Sequence, residues 1–281
     1  MQPETINVTK MSGEKAPYDE GKLRHSLERS GAGEALIDEI TGHINKLLYE
    51  GINTRKIYRK AFSMLKKQSR SSAARYKLKS AIMELGPTGY PFESFVGEIL
   101  RHQGFKVRVG VKVDGYCVTH EVDVIAEKDV KHYMVECKFH NEKHKRCDVK
   151  VPLYINSRFE DLERQWEERR GNEKIHQGWI FTNTGFSTDA IKYGNCAGLM
   201  MVGWDYPREG SLKQRIDLVG LHPVTSLTTI TKKEKQDLLS REVVLCKQLS
   251  SKPEQLTHIG ISQQRQNKVL REAEELCESN P

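Results

Sequence analysis

The chain has 281 residues, 37% hydrophobic and 30% charged, with a formal net charge of +7. That length suits two or three small domains better than one large core, and the basic surplus favours a polyanionic partner such as nucleic acid. No run of about 18 apolar residues exists to span a membrane, the opening MQPETINVTKMSGEK lacks an apolar leader, and six scattered cysteines read as reduced thiols of a cytoplasmic protein, not as a disulfide framework.

Residues 1–88 open on a short strand pattern, Ile6-Asn7-Val8, and a turn at Ser12-Gly13. Apolar spacings of three and four follow at Leu23 and Leu27, at Ile37, Ile40 and Ile44, and at Ile57, Ala61 and Leu65, which predicts amphipathic helices. The last of these starts at Asn53-Thr54. The segment reads as a small, mainly helical domain. Gly86-Pro87-Thr88-Gly89-Tyr90-Pro91 cannot continue a helix and marks the clearest break.

Residues 89–206 begin with a compact apolar helix face, Phe92, Phe95, Val96, Ile99 and Leu100. Strict alternation over 105–113 predicts a strand with one buried face. Apolar strands follow at 122–126 and 133–139, then a helix stripe of Phe159, Leu162 and Trp166. Strands at 179–181 and 199–202 flank a helix beginning near Ser187. The order α-β-β-β-α-β-α-β predicts the α/β (α+β) class, a mixed sheet with helices against its faces. In residues 207–281, short helices at 225–239 and 256–270 with a turn at Ile259-Gly260-Ile261 predict a small helical module. It is read either as a helix-hairpin-helix-like pair offering backbone N–H groups to DNA phosphate or as a packing or dimerisation element.

The chemistry concentrates at Glu121-Val122-Asp123 and Glu136-Cys137-Lys138. Residues i and i+2 of a strand share a face, so Glu136 and Lys138 point together and Cys137 points away. A neighbouring strand that brings Asp123 beside them joins two carboxylates, hard ligands suited to Mg²⁺ or Mn²⁺, to one ammonium. The metal lowers the pKa of a bound water, and the lysine offsets phosphate charge. His120 and Glu121 flank the aspartate and are alternative or assisting ligands. A competing motif overlaps: Cys137, His140, His144 and Cys147 read C-x₂-H-x₃-H-x₂-C, a zinc-like set, against which the charged loop 141–146 is read as a basic surface for DNA phosphate.

This ordered set resembles the Mrr-like restriction endonuclease branch of the PD-(D/E)xK nuclease superfamily over about residues 90–205. The matching features are Tyr90-Pro91-Phe92-Glu93, Gly104-Phe105, Val122-Asp123-Val124, Glu136-Cys137-Lys138, Gln165, and Thr182-Asn183 with Phe186 and Ala190. The resemblance implies catalytic roles for Asp123, Glu136, Lys138, Glu93 and Gln165, and metal binding by Asp123 and Glu136. Glu93 is either a third ligand or a residue that caps and positions its helix.

Val8-Thr9-Lys10 with Tyr18-Asp19-Glu20-Gly21-Lys22 is similar to the ATP-cone, a regulatory nucleotide-binding domain, over about residues 5–85. The resemblance implies ATP or dATP bound by Val8, Lys10, Lys22, Thr54 and Tyr58, although Met11 stands where that family has an arginine. The expected function is a nucleotide-regulated, divalent-metal-dependent DNA endonuclease acting as a homo-oligomer. The alternative is a non-catalytic, ATP-sensing DNA-binding regulator.

Overall fold

A computed structural model describes residues 6–10, 12–86, 88–170 and 175–278, so Met11 and Pro87 lie outside the described residues. The N-terminal part runs β1 (Asn7–Thr9), β2 (Lys15–Pro17), α1 (Glu20–Glu28), α2 (Glu34–Asn45), β3 (Ile52–Asn53), α3 (Thr54–Gln68) and α4 (Arg70–Tyr76). Three of these four helices, α1, α3 and α4, start where a side chain accepts one of the first orphan N–H groups. Asp19 accepts from Lys22 N, and Asn53 from Arg55 N. The expected mainly helical unit also holds a small sheet of order β2-β1-β3, in which Val8 faces Ile52. Leu27, Ile37, Ile40, Ile44, Ile52, Ala61 and Leu65 bury its core.

The centre follows as α5 (Leu78–Met83), α6 (Tyr90–His102), β4 (Lys106–Asp114), β5 (Thr119–Lys128), β6 (Lys131–Lys138), β7 (Arg146–Cys147), α7 (Lys150–Arg170), β8 (Ile175–Thr182), β9 (Gly185–Phe186), α8 (Thr188–Cys196) and β10 (Met200–Val202). The main sheet has the order β10-β8-β6-β5-β4. Strands β4, β5 and β6 form an antiparallel meander, and β8 and β10 run parallel to β6. This is the mixed, helix-flanked sheet that the alternating pattern predicts. On one face, α6 packs Phe92, Phe95, Val96, Ile99 and Leu100 against Val124, Ala126, Val135 and Phe181. On the other, Ile155, Leu162 and Trp166 of α7 meet Val122, Ile125, Met134 and Ile180.

The strand at 105–113 departs from its reading in one respect. Val107 and Val109 pack on the α6 face, but Val111 and Val113 pack on the α7 face. The strand changes sides at Gly110, whose φ of +63° is open to glycine at little cost. Its partner β5 changes sides at the same place, with Val124 on the α6 face and Val122 on the α7 face. Between the paired positions Val109↔Val124 and Val111↔Val122 lies Asp123.

The C-terminal part holds α9 (Leu212–Val219), a 3-10 turn (Val224–Ser226), α10 (Lys232–Leu239), α11 (Cys246–Ser251), α12 (Glu254–His258) and α13 (Gln263–Cys277). Its apolar residues, among them Leu212, Leu227, Leu245, Val269 and Leu276, belong to the same core as α6. At the 259–261 turn, Ile259, Gly260 and Ile261 donate their N–H groups to Gln255, Thr257 and Leu256 carbonyls, so these three donors serve the end of α12. None of the helices among the described residues is long and apolar enough to cross a membrane.

Helix α5 lies before the Gly86–Pro91 break in sequence but packs beyond it. Leu78, Ile82 and Leu85 join the α6 core. Thr225 Oγ1 donates to Ala81 O at 2.7 Å, and buried Lys235 bonds Glu84 Oε2 at 3.1 Å and Thr225 O at 2.7 Å. Removing residues 1–68 is therefore expected to leave a cooperatively melting remainder, and removing 1–86 to abolish it. Each large buried side chain lost costs about 2–5 kcal/mol, and three together rival the roughly 5–15 kcal/mol that holds a domain folded. Thermal melts of both truncations, followed by circular dichroism, test this; equal cooperativity would refute it.

Candidate active site

The paired register of β5 and β6 ends at Val124↔Val135. Beyond it the strands part, and the Asp123 side chain takes over the connection: Cys137 N donates to Asp123 Oδ2 at 2.7 Å. Strand alternation sends Cys137 into the α6 core and turns Glu136 and Lys138 the other way, where Lys138 Nζ bonds Glu136 Oε1 at 2.8 Å. Glu136 is 4% exposed. A carboxylate so buried needs compensation, and α7 supplies it: Arg158 Nη1 donates to Glu136 Oε2 at 2.7 Å. Arg158 Nη2 reaches the Glu121 carbonyl, so one guanidinium ties β6 to β5 across the gap.

Glu93 stands in the first turn of α6, close enough to feel the charges of this group. Burial, then the charges of Asp123 and Glu136, push its carboxyl up to about 7. Asp123 is pushed up to about 6 by burial and then by Glu136, against the pull of the Cys137 N–H, Lys138 and Arg158. For Lys138, burial works to lower the pKa, but Glu136 and Asp123 together outweigh it and hold the ammonium above its usual value. The site is an acid cluster in which three carboxyls compete for limited positive charge. Such a donor set fits a divalent cation, which would relieve the repulsion. Among the described residues, however, no three carboxylate, imidazole or thiolate groups close on a single ion position.

The structure thus gathers Glu93, Asp123, Glu136 and Lys138, and adds Arg158, which the sequence reading missed. Its signal was present: Arg158 interrupts the apolar stripe Ile155, Leu162 and Trp166. Seven residues past Arg158, Gln165 lies two turns on, about 10 Å along the helix, lining a groove with Arg108, Lys112 and Trp166. His120 bonds Asp161 at 2.7 Å, and Asp161 also accepts from Cys117 N, which fixes the β4–β5 hairpin to α7. Glu121 is exposed.

The zinc-like set is dispersed. Cys137 lies in the α6 core and Cys147 in the α7 core. His140 Nε2 is 3.3 Å from Cys147 Sγ, and His144 is exposed beside Glu142. Thr182 and Asn183 hold the chain that follows Lys138. Thr182 Oγ1 donates to Lys138 O at 2.8 Å, and Asn183 bonds both the N–H and the carbonyl of His140 at 2.8 and 2.9 Å. A Cβ at Gly86 would fall 2.3 Å from the Phe139 ring, so the chain at Gly86 also presses on this segment.

In the N-terminal part, Thr54 and Tyr58 line an open cleft of about 490 Å³ with Arg55, Arg59, Ser80 and Lys143. Tyr58 stacks on Tyr76 with ring centres 5.0 Å apart. Val8 is buried. Lys10 and Lys22 do not line this cleft; they pair with Glu14 at 3.0 Å and Asp19 at 3.2 Å.

Two family models match the chain. Residues 86–202 match a restriction endonuclease family, and residues 222–277 match the C-terminal domain family described as AF1548-like. An uncharacterized protein of Archaeoglobus fulgidus is 36% identical over 182 residues, which cover 64% of this chain and 99% of that protein. The crystal structure of a protein of unknown function, AF1548, aligns with a TM-score of 0.56 at 36% identity, covering 68% of this chain and 98% of the other. The MspJI restriction endonuclease, solved with a 27-mer oligonucleotide, aligns at a TM-score of 0.34 and 15% identity over 71% of this chain and 39% of its own. The chain belongs to the family of the Archaeoglobus protein and carries a restriction-endonuclease-type domain followed by an AF1548-like C-terminal domain.

Proposed function

We propose that the chain is a divalent-metal-dependent DNA endonuclease whose activity responds to a bound nucleotide. The observation that carries the reading is the gathering of Glu93, Asp123, Glu136 and Lys138 where β5 and β6 part, within the segment that matches the restriction endonuclease family. Asp123 and Glu136, with Glu93, would hold Mg²⁺ or Mn²⁺, which supplies a water of lowered pKa and a Lewis acid at the phosphate. Lys138 stands on the face of Glu136, where its ammonium can orient the attacking water and offset charge on the phosphoryl oxygens. In the step itself, a water oxygen bonds to phosphorus, its proton leaves to solvent or a neighbouring base, and the P–O bond to the sugar breaks with a proton returning to that oxygen. Arg158 fixes the orientation of Glu136 through its bond to Oε2. Cutting both strands of a duplex calls for two such sites, hence a homo-oligomer.

For regulation, ATP or dATP is the proposed ligand of the N-terminal unit. The Thr54–Tyr58 cleft, with Arg55 and Arg59, supports this reading more directly than Lys10 and Lys22 do, since it combines an aromatic face with cations. The test is incubation of the full chain with plasmid and linear DNA, with and without Mg²⁺ or Mn²⁺ and with ATP or dATP. No cleavage under any combination would leave only the DNA-binding alternative.

A pH profile adds a second check. Glu93 near 7 and Asp123 near 6 carry protons in mild acid, and a divalent cation must displace them. At limiting Mg²⁺, cleavage is expected to rise between about pH 6 and 8. Raising Mg²⁺ tenfold should move the midpoint downward, and a midpoint indifferent to Mg²⁺ would count against these carboxyls as ligands.

A further inference from the structure

The loop that leaves Lys138 returns as β7 and forms one wall of a second cleft, of about 420 Å³. Lys143, Lys145 and Arg146 line one side, and Lys79, Trp204 and Tyr206 the other. The three loop cations are exposed. Lys79 is fixed: its ammonium lies 4.5 Å from the centre of the Trp204 ring and donates to Asn183 O at 2.7 Å. Asn183 in turn clamps His140 at the start of the loop. The backbone N–H of Trp204 donates to Thr184 O at 2.6 Å. Opposing this charge, the cleft carries one carboxylate, Asp205. Burial, offset in part by Asp205 and reinforced by the weaker push of Lys143, leaves Lys79 lowered to about 8.

The cleft's position gives it meaning. It lies beyond the carboxyl ends of β6, β8 and β10, the edge of a parallel sheet portion where ligands gather. The candidate active site lies at the carboxyl end of β6 on that same edge. Strand β10 is two strands over, about 10 Å at ordinary strand spacing.

We propose that this cleft is a phosphate-binding subsite for the strand being cut, seating its backbone beside the scissile phosphate on Lys79, Lys143, Lys145 and Arg146. The proposal rests on the DNA reading above and names how that substrate is held. The rigid wall fixes register and the exposed loop supplies charge, the division of labour expected of backbone contacts.

The test is equilibrium binding of a fluorescent 30-base-pair duplex to the full chain in EDTA, from roughly 50 to 200 mM salt. Each lost phosphate contact should reduce the slope of log affinity against log salt by about 0.9. The Lys143→Ala/Lys145→Ala/Arg146→Ala variant should therefore lose about two to three units of slope and Lys145→Ala about one, with circular dichroism unchanged. Slopes equal to wild type in both variants would overturn the subsite while leaving the nuclease reading intact. A wild-type chain that binds no DNA would overturn both. One that binds with these slope losses yet cuts nothing in Mg²⁺ would support the subsite and remove the nuclease reading.

Discussion

Asp123→Asn is expected to lower DNA cleavage by about a thousandfold or more while leaving the protein as stable as wild type, or slightly more so, at pH 8. The activity loss follows from removing one charged ligand from a cluster that must hold a dication and a developing phosphate charge. The stability expectation comes from the same electrostatics. Asp123 is held well above its ordinary value by burial and by Glu136. The folded chain therefore keeps a proton that the unfolded chain releases, and stability falls as pH rises from about 4 through 6. Asparagine removes that penalty and still offers an oxygen to Cys137 N. Cleavage assays and melts at pH 5 and pH 8 decide the matter. Wild-type cutting by Asp123→Asn would end the active-site assignment, and a large fall in melting temperature at pH 8 would contradict the account of repulsion.

The second large effect is expected at Arg158. Arg158→Met should cost about 3 kcal/mol, the lower end for a broken buried ion pair, because Lys138 still compensates one oxygen of Glu136. For a chain of this size that corresponds to a fall of roughly 10 °C in melting temperature. The loss comes less from the missing bond than from leaving Glu136, 4% exposed, with one side uncompensated. Glu136→Met together with Arg158→Met should therefore recover much of the stability, although not the activity. Additive losses in the double variant, or a fall of only a degree or two in the single one, would mean that the pair contributes little.

Much of the site is legible in the sequence because strand geometry leaves little choice. Given that 133–139 is a strand, Glu136 and Lys138 must share a face and Cys137 must oppose them, and the structure has them so. Helices are less determinate. Along the 21 residues of α7, both Arg158 and Gln165 face the sheet, and which of them meets Glu136 depends on where the helix crosses β6. Neither periodicity nor propensity encodes that crossing point. The C-terminal segment is opaque for a related reason: its apolar helix faces read as an independent module until Leu212, Leu245 and Leu276 are seen beside Phe92 and Phe95. The metal set is only half visible, since Glu93, Asp123 and Glu136 are brought near one another by topology, while Arg158 and Lys138 hold both oxygens of Glu136.

The side-switch at Gly110 has a consequence for how the sheet comes apart. The even-numbered residues of β4 stay out of both clusters, so the switch alone lets this edge strand serve both, with Val107 and Val109 in one and Val111 and Val113 in the other. Without the switch β4 would rest on one layer only; with it, the edge strand is stitched to both. The stitch passes at Asp123, so the place where the strands part to expose the acid cluster is also the place where the two layers are pinned together. The opening between β5 and β6 therefore lies between strands anchored in both clusters, and the acids at its mouth sit on strands and not on a loop.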